Sequence, residues 1–544
     1  MNDSMQVTEP APPADTLRRA YDYHQRTKHH FNRYAAGPGH MDWATQPDPF
    51  RRFTGTAEIP LPLAGDLPSP RYADLFRRGT VPARPNTLAD LALVLELSFG
   101  LSAWKGYGGD RWALRCNPSS GNLHPTEAYV VVGRGLAGLD SGVYHYCSHE
   151  HSLERRCRAE LPFDAALIGL TSIHWREAWK YGERAFRYCQ HDVGHALGAL
   201  RYATATAGWT VRLLEEWGDA DIARLLGLDR DGDFDGAERE APDLLCAIGS
   251  AAASAFDIDR LTTAAAQGLW AGKANTLSRR HLHDWPAIDE VHHATVKPRT
   301  EAISSGALSA ETLEPPNSEF TAAELIRQRR SAQAFDGSTA IPARALWRIL
   351  DPTLPHTSIP PFDVWPWPPR IHLLLFVHRV VGLPSGLYLL PRDEQSVAGL
   401  RAALRPDLGW EPVAEAPRSV PLVRLVRADC RNAARVLSCH QDIASDGAFS
   451  LGMLAEFDAT LNAAGTWAYR RLFWECGLIG QALYLEAEAA GVRGTGIGCF
   501  FDDAVHELLG IADTRFQSLY HFTVGAALDD ARLQTLPPYG HLAR

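Results

Sequence analysis

The chain has little that would carry it into a membrane or onto nucleic acid. Nowhere do about 18 apolar residues run together, the length a membrane-spanning helix needs. Its first residues, MNDSMQVTEPAPPADTLRRAYDYHQ, lack the apolar stretch of an export signal. Lys and Arg number 54 against 64 Asp and Glu, a formal net charge of -10, and no basic run offers a footprint for a phosphate backbone. The nine cysteines include no Cys-x-x-Cys, and an odd number argues against a disulfide framework. These absences predict a cytoplasmic protein with neither nucleic acid nor a membrane as partner. What remains is ordinary globular composition, 45% hydrophobic over 544 residues. At about 150 residues per domain that length allows two to four domains.

Three motif-like segments lack the part that would make them work. Gly133-Arg134-Gly135-Leu136-Ala137-Gly138 fits G-x-G-x-x-G after a strand, but another strand (GVYHY) follows instead of the helix a pyrophosphate requires. Asp231-Gly232-Asp233-Phe234-Asp235-Gly236 starts like a calcium loop, yet Pro242 stands where the bidentate Glu belongs. The 22 histidines form no familiar metal-ligand spacing.

An internal repeat organises the rest. Residues Gly182 to Leu228 align without gaps on Gly465 to Ile511, an offset of 465 − 182 = 283, matching Arg187/Arg470, Gly194/Gly477, Ala207-Gly208/Ala490-Gly491 and Asp219/Asp502. A duplicated domain is the natural cause. The copies differ just before the repeat, where Lys180-Tyr181 faces Ala463-Ala464. Apolar residues every three to four positions predict a buried helix in each copy. Thr87 caps a predicted helix over 87–99, EAYVVV and GVYHYC predict paired strands, and IHLLLFVHRVV and GLYLL repeat them. Helices are predicted over 15–34, 321–330 and 342–350. The expected organisation is an arm (1–65), a first domain (66–251), a helical connection and linker (252–317) and a second domain (318–544).

Two segments suit a ligand. Asn117-Pro118-Ser119-Ser120-Gly121-Asn122 offers hydroxyls, an amide and free backbone N–H groups to the edge of a polar heterocycle. The helix LIRQRRSAQAF supplies Arg329, Arg330 and Ser331, two fork-shaped cations and a hydroxyl that suit a phosphate monoester. His191 and His195, at i and i+4 on one face of the repeated helix, are read as residues of packing or of helix–helix hydrogen bonding.

RRSAQAF, NPSSGNLHPTEAYVVV, WKYGERAFRYCQHDVGHAL and the helix-to-LLGL segments together resemble the FMN-dependent nitroreductase superfamily, and within it the SagB/ThcOx-type dehydrogenases, over roughly residues 70–250 and 318–535. The resemblance implies an α+β fold, two tandem nitroreductase-like domains forming an intrachain pseudo-dimer, because family members are usually homodimers with FMN at the interface. It implies one FMN per chain. Pro118, Ser119, Ser120 and Asn122 would come from the first half, and Arg329, Arg330, Ser331, Gly494 and Gly496 of a glycine loop from the second. Gln333 stands at the family's third basic position, and Arg532 is expected to compensate. The reciprocal site, with Arg77-Arg78-Gly79, WTVRLLEEW and PPFDVWPWPP, would have lost flavin, Trp365 and Trp367 filling it. Lys180 and Tyr181 match a pair taken as catalytic in the azoline dehydrogenases, where a desolvated Lys acts as base beside the flavin. The expected partner is a small-molecule or peptide substrate. Two alternatives stand beside this reading: an NAD(P)H-dependent nitro or quinone reductase, and a flavin-free binding scaffold.

Overall fold

A computed structural model describes residues 14–134, 136–250, 256–303 and 318–542. Two antiparallel sheets that share the order of six strands, and differ in the strand added at one edge, dominate it. The first runs Leu269–Trp270, Ser152–Arg158, Gly142–Cys147, Thr126–Val132, Ala166–Ser172, Ala241–Gly249 and Thr210–Leu213, with Ala57–Pro60 also pairing on Ser152–Arg158. The second runs Glu411–Pro412, Val423–Arg427, Gly386–Leu390, Ile371–Val377, Phe449–Glu456, Phe516–Gly525 and Arg493–Ile497. The predicted hairpin pairs as expected, Val130 opposite Tyr144 in the first sheet and Leu375 opposite Tyr388 in the second.

Period-two patterning decides which face each strand residue covers. Val130, Leu170, Leu373 and Met453 join one core shared by both halves, whereas Val131, Leu167 and Leu245 cover the outer face of the first sheet and Leu374, Leu389 and Leu454 that of the second. Two 22-residue helices, Ala185–Thr206 and Ala468–Ala489, run through the shared core. They are buried along almost their whole length, polar side chains included, and buried charges find partners: Arg187 on Asp502 and Arg470 on Asp219. Where they cross, a Cβ on Gly194 would strike the carbonyl oxygen of Trp474, and one on Gly477 that of His191. At the repeat's offset His191 corresponds to Trp474 (191 + 283 = 474), so the two contacts are equivalent.

Local signals placed several ends. Thr87 Oγ1 accepts from Asp90 N and starts the helix Leu88–Phe99, and Thr321 with Glu324 forms a capping box for Ala322–Gln328. The helix expected over 342–350 forms at Ala343–Leu350. Within the expected connection, helices form at Ile258–Ala266 and Pro286–Ala294; its Ser/Pro/Glu-rich stretch at 304–317 lies outside the described residues, as does Gly135 of the false dinucleotide motif.

Three expectations fail. The first helix covers Ala14–Arg26, not 15–34. Beyond it Lys28 and the His29 backbone turn to Asp503 and Asp502 of the second half, at 2.7 and 3.0 Å, and leave the helical path. Arg329, Arg330 and Ser331 follow their helix instead of belonging to it, because Arg329 (φ −50°, ψ 128°) ends it. The glycine segment 494–498 is not a loop: Arg493–Ile497 is an edge strand on Phe516–Gly525, its β-branched Thr495 and Ile497 alternating with glycines. The last strand, Gln534–Leu536, leaves the second half to pair with Leu101–Tyr107 of the first.

Candidate functional site

A cavity of about 800 Å³ opens between the halves, within the range of pockets for drug-sized ligands. Its wall from the first half is the turn at 118–122. Ser119 Oγ accepts from His124 N at 2.8 Å, Asn122 Nδ2 donates to Ala113 O at 2.9 Å, and Gly121 (φ +59°) and Asn122 (φ +60°) hold the left-handed backbone that bends the turn. Ser120 donates from both its backbone N and its Oγ to Asp192 Oδ1, each at 3.0 Å. Burial raises the Asp192 carboxyl to about 7 against those hydrogen bonds.

Tyr181 and Lys180, at the end of the helix His174–Tyr181, back onto the same turn. A Cβ on Gly121 would meet Tyr181 Oη at 2.5 Å and Lys180 Nζ at 3.1 Å, so only glycine fits there. Tyr181 lines the cavity; Lys180 does not, its ammonium lying 5.3 Å from the centre of the Tyr181 ring. Burial pushes the Tyr181 phenol well up. Glu177, one turn before Lys180, is fully buried with neither carboxyl oxygen hydrogen-bonded, and burial holds its pKa well above the usual carboxylate range.

The opposite wall is cationic. Arg329 is 4% exposed; it donates to Cys116 O and Arg115 O, both at 3.2 Å, and stacks 4.9 Å from the centre of the Tyr484 ring. Its Nη1 is buried at the cavity with no partner in the protein. Arg330 is fixed by Ser102 and by the carbonyl of Arg327, and burial, then the Arg329 charge, lowers its guanidinium to about 10. Ser331 Oγ lies 2.8 Å from Tyr484 Oη, which accepts from Gly496 N at 3.0 Å. A Cβ on Gly496 would collide with Tyr520 Oη, so the backbone is bare where it faces the cavity. An unpaired buried guanidinium N–H, a second arginine and a hydroxyl fit an anion such as a phosphate monoester, and the Pro118–Asn122 turn fits the polar edge of a flat ring.

Two expected residues are misplaced. Arg532 is exposed, bound to Asp530 at 2.7 Å, and does not line the cavity; a carboxylate two residues away captures it first. Gly494 also lies off the lining, its carbonyl accepting from Ala332 N at 3.1 Å and its Cα packed under Phe522. Gln333 does line the cavity.

Tyr188, Asp192 and His195 also line it, a stripe at i, i+4 and i+7 on the first long helix. His195 is buried and packs against Gly480 of the second long helix, as a packing residue would, and also lines the cavity, a position the stripe signals. Burial and then Arg329 push the His195 imidazole down to about 3; it hydrogen-bonds Tyr520 Oη at 3.1 Å, a neutral ring. Tyr484, Tyr520 and Lys105 join from distant segments with no local signal.

The reciprocal position is built differently. Tyr484 corresponds to Arg201 (484 − 283 = 201), which makes a two-pronged ion pair with Asp363 at 2.8 and 2.7 Å. Asp192 corresponds to Glu475 (192 + 283 = 475), buried against Arg392. Trp367 packs 4.8 Å from Trp365 and 5.8 Å from Trp467, ring centre to ring centre, with Arg471 over both Trp367 and Trp467. Arg77 and Arg78 are exposed. The calcium-like segment is a turn whose Asp233 is bound to Arg156 and Arg230, and no metal-binding group of His, Cys, Asp and Glu occurs among the described residues.

Residues 395–526 match the model of the Nitroreductase family. The Methanocaldococcus jannaschii protein MJ1384, which bears a nitroreductase name, is 28% identical over 189 residues, 31% of this chain and 90% of that protein. The trifolitoxin-processing protein TfxB of Rhizobium leguminosarum bv. trifolii is 36% identical over 98 residues, but those are 14% of this chain and only 26% of TfxB. A solved nitroreductase-named structure from Anabaena variabilis ATCC 29413 superposes over 94% of this chain and 99% of its own, with a TM-score of 0.68 at 22% identity. That likeness extends the nitroreductase-like fold over the N-terminal half. Among the described residues no helix is long and apolar enough to cross a membrane.

Proposed function

We propose that the chain is an FMN-dependent oxidoreductase, a SagB-type dehydrogenase or oxidase that takes hydride from a small molecule or a peptide-derived heterocycle. One observation carries the reading: a single cavity brings the Pro118–Asn122 turn of one half against Arg329, Arg330, Ser331 and Gly496 of the other, with Tyr181 in its wall. Arg329 and Ser331 would hold the phosphate and the turn would meet the ring. Bound there, the flavin supplies the two-electron chemistry, while the protein supplies position and electrostatics.

The chain's own part is to manage the proton that leaves with the hydride. In this reading Tyr181 Oη, which lines the cavity, meets the leaving proton, and Lys180 Nζ, behind that wall, is the base. Both stand against Gly121, whose missing side chain leaves room for them. Glu177 and Asp192, carboxyls that burial disposes to stay protonated, surround the pair without the full negative charge of two carboxylates. The likeness to a trifolitoxin-processing protein favours a peptide-derived substrate. We also propose that the halves descend from a duplicated subunit and form a dimer within one chain, since the Gly194–Trp474 and Gly477–His191 contacts repeat each other as isologous contacts do. The likeness to MJ1384 keeps an NAD(P)H-dependent nitro or quinone reductase as the second reading.

The test is the visible spectrum of the purified protein, with released flavin counted per chain. One FMN per chain is expected; two would refute the loss of the reciprocal site, and none after added FMN would leave a binding scaffold. Steady oxidation of NAD(P)H would favour the reductase.

A further inference from the structure

Seven of the nine cysteines are buried; the two partly exposed ones, Cys439 and Cys499, are close enough to shift each other's ionisation. They come from different segments. Cys439 follows the helix Arg431–Leu437 in a left-handed turn (φ +54°), and Cys499 follows the edge strand Arg493–Ile497 and lines the cavity. The backbones are tied on both sides of the pair: Phe501 N donates to Leu437 O at 2.8 Å, and Gln441 Nε2 donates to Cys499 O at 3.1 Å.

The surroundings favour a thiolate on one sulfur. His29 Nδ1 accepts from Ala35 N at 2.9 Å, so a neutral ring carries its proton on Nε2, and this imidazole lies near Cys499. The Arg184 guanidinium, 3.0 Å from Asp502 and donating to Gly498 O at 3.1 Å, adds positive charge beside Cys499, and Tyr34 lies near Cys439. The neighbouring Cys439, then His29 and the Arg184 charge, lower the Cys499 thiol to about 5 against burial, and the same proximity raises Cys439. A partly exposed thiolate beside a second thiol is the arrangement in which oxidation to sulfenic acid is followed by disulfide formation.

We propose that Cys499, in the cavity wall, and Cys439, beside it, are a peroxide-reactive dithiol, Cys499 attacking and Cys439 resolving. The co-reactant is hydrogen peroxide. The Cys499 sulfur attacks one peroxide oxygen, the O–O bond breaks and hydroxide leaves to become water; Cys499 is now a sulfenic acid, oxidised by two electrons. The Cys439 sulfur then attacks Cys499 Sγ, the S–O bond breaks, and the departing hydroxide takes the Cys439 proton as a second water. Two thiols and one peroxide become one disulfide and two waters. The bond would clamp the segment after Arg431–Leu437 to the strand edge that lines the cavity.

The test adds hydrogen peroxide to the full-length protein as purified, without substrate, so its outcome is separate from that of the proposed activity. Thiols are titrated after denaturation and peptides mapped by mass. Loss of two thiols per chain, a Cys439–Cys499 cross-linked peptide and full recovery with dithiothreitol are expected. In Cys439→Ser, Cys499 should accumulate as sulfenic acid and be trapped by dimedone; in Cys499→Ser, Cys439 should stay reduced. No thiol loss, prior oxidation of another cysteine, or Cys499 passing to sulfinic acid in the wild type while Cys439 stays a thiol would each overturn the proposal.

Discussion

Gly194 lies against the carbonyl oxygen of Trp474 at the crossing of the two long helices, closely enough that a Cβ there would collide with it. An alanine gains about 1 kcal/mol in helix propensity over glycine. Overpacking a core costs about 1–3 kcal/mol, toward the upper end where the obstacle is backbone and cannot rotate away. The steric cost wins. Gly194→Ala and Gly477→Ala should each lose about 2 kcal/mol in chemical unfolding; a neutral or stabilising result in either would mean that the helices slide apart freely at this point.

Asp192 gives the site a pH signature. Burial raises its folded pKa from the ordinary carboxylate value of 3.8 to about 7. The fold therefore has its full stability from this group below about pH 4 and loses part of it as pH rises through 7, since the unfolded chain releases the proton more readily. Three units amount to a ceiling of about 4 kcal/mol. Glu486 and Asp243, raised to about 7 and about 6, titrate in the same window, so the wild-type curve alone cannot isolate Asp192. Asp192→Asn keeps an oxygen for Ser120 but cannot ionise. Its stability relative to wild type should rise between pH 4 and 8, and a difference that is flat with pH would refute the assignment.

Arg329 and Arg532 separate a buried cation from an exposed one. Removing the first takes away an unshared guanidinium N–H at the cavity; hydrogen bonds to charged groups are worth about 1.5–3 kcal/mol, or roughly 10- to 100-fold in affinity. Fluorescence titration of the apoprotein with FMN should show that loss for Arg329→Ala and less than about a twofold change for Arg532→Ala, whose guanidinium is bound to Asp530. Equal losses would return Arg532 to the site.

Local chemistry made part of this architecture legible beforehand. Thr87 announces its helix because a cap acts within one turn, and the Pro-Ser-Ser-Gly-Asn turn is visible because its residues hydrogen-bond one another or their near neighbours. The repeat exposed the paired helices, since a buried helix keeps its apolar period through divergence. Tyr484, Tyr520 and Lys105 were not legible: each reaches the cavity only once the halves have docked. Arg532 failed for the opposite reason, its fate being settled two residues away by Asp530. Tyr188, Asp192 and His195 lay between these cases, a polar stripe on a buried helix that registers only when all three are read at helical spacing.

That stripe also bears on how many sites the molecule keeps. Where the first long helix carries Asp192 and His195, the second carries Glu475, paired with Arg392, and Leu478; where the second carries Tyr484, the first carries Arg201 bound to Asp363. An ion pair of this geometry, largely shielded from water, is costly to break from one side, on the order of 3 kcal/mol, because the remaining charge has no partner. Asp363→Ala should therefore lower the unfolding midpoint while leaving the flavin count per chain unchanged, since Asp363 is remote from the cavity lining. If the variant instead gained a second flavin, the Arg201–Asp363 pair would be a plug over a site that still works, and the two halves would be nearer equivalence than their side chains imply.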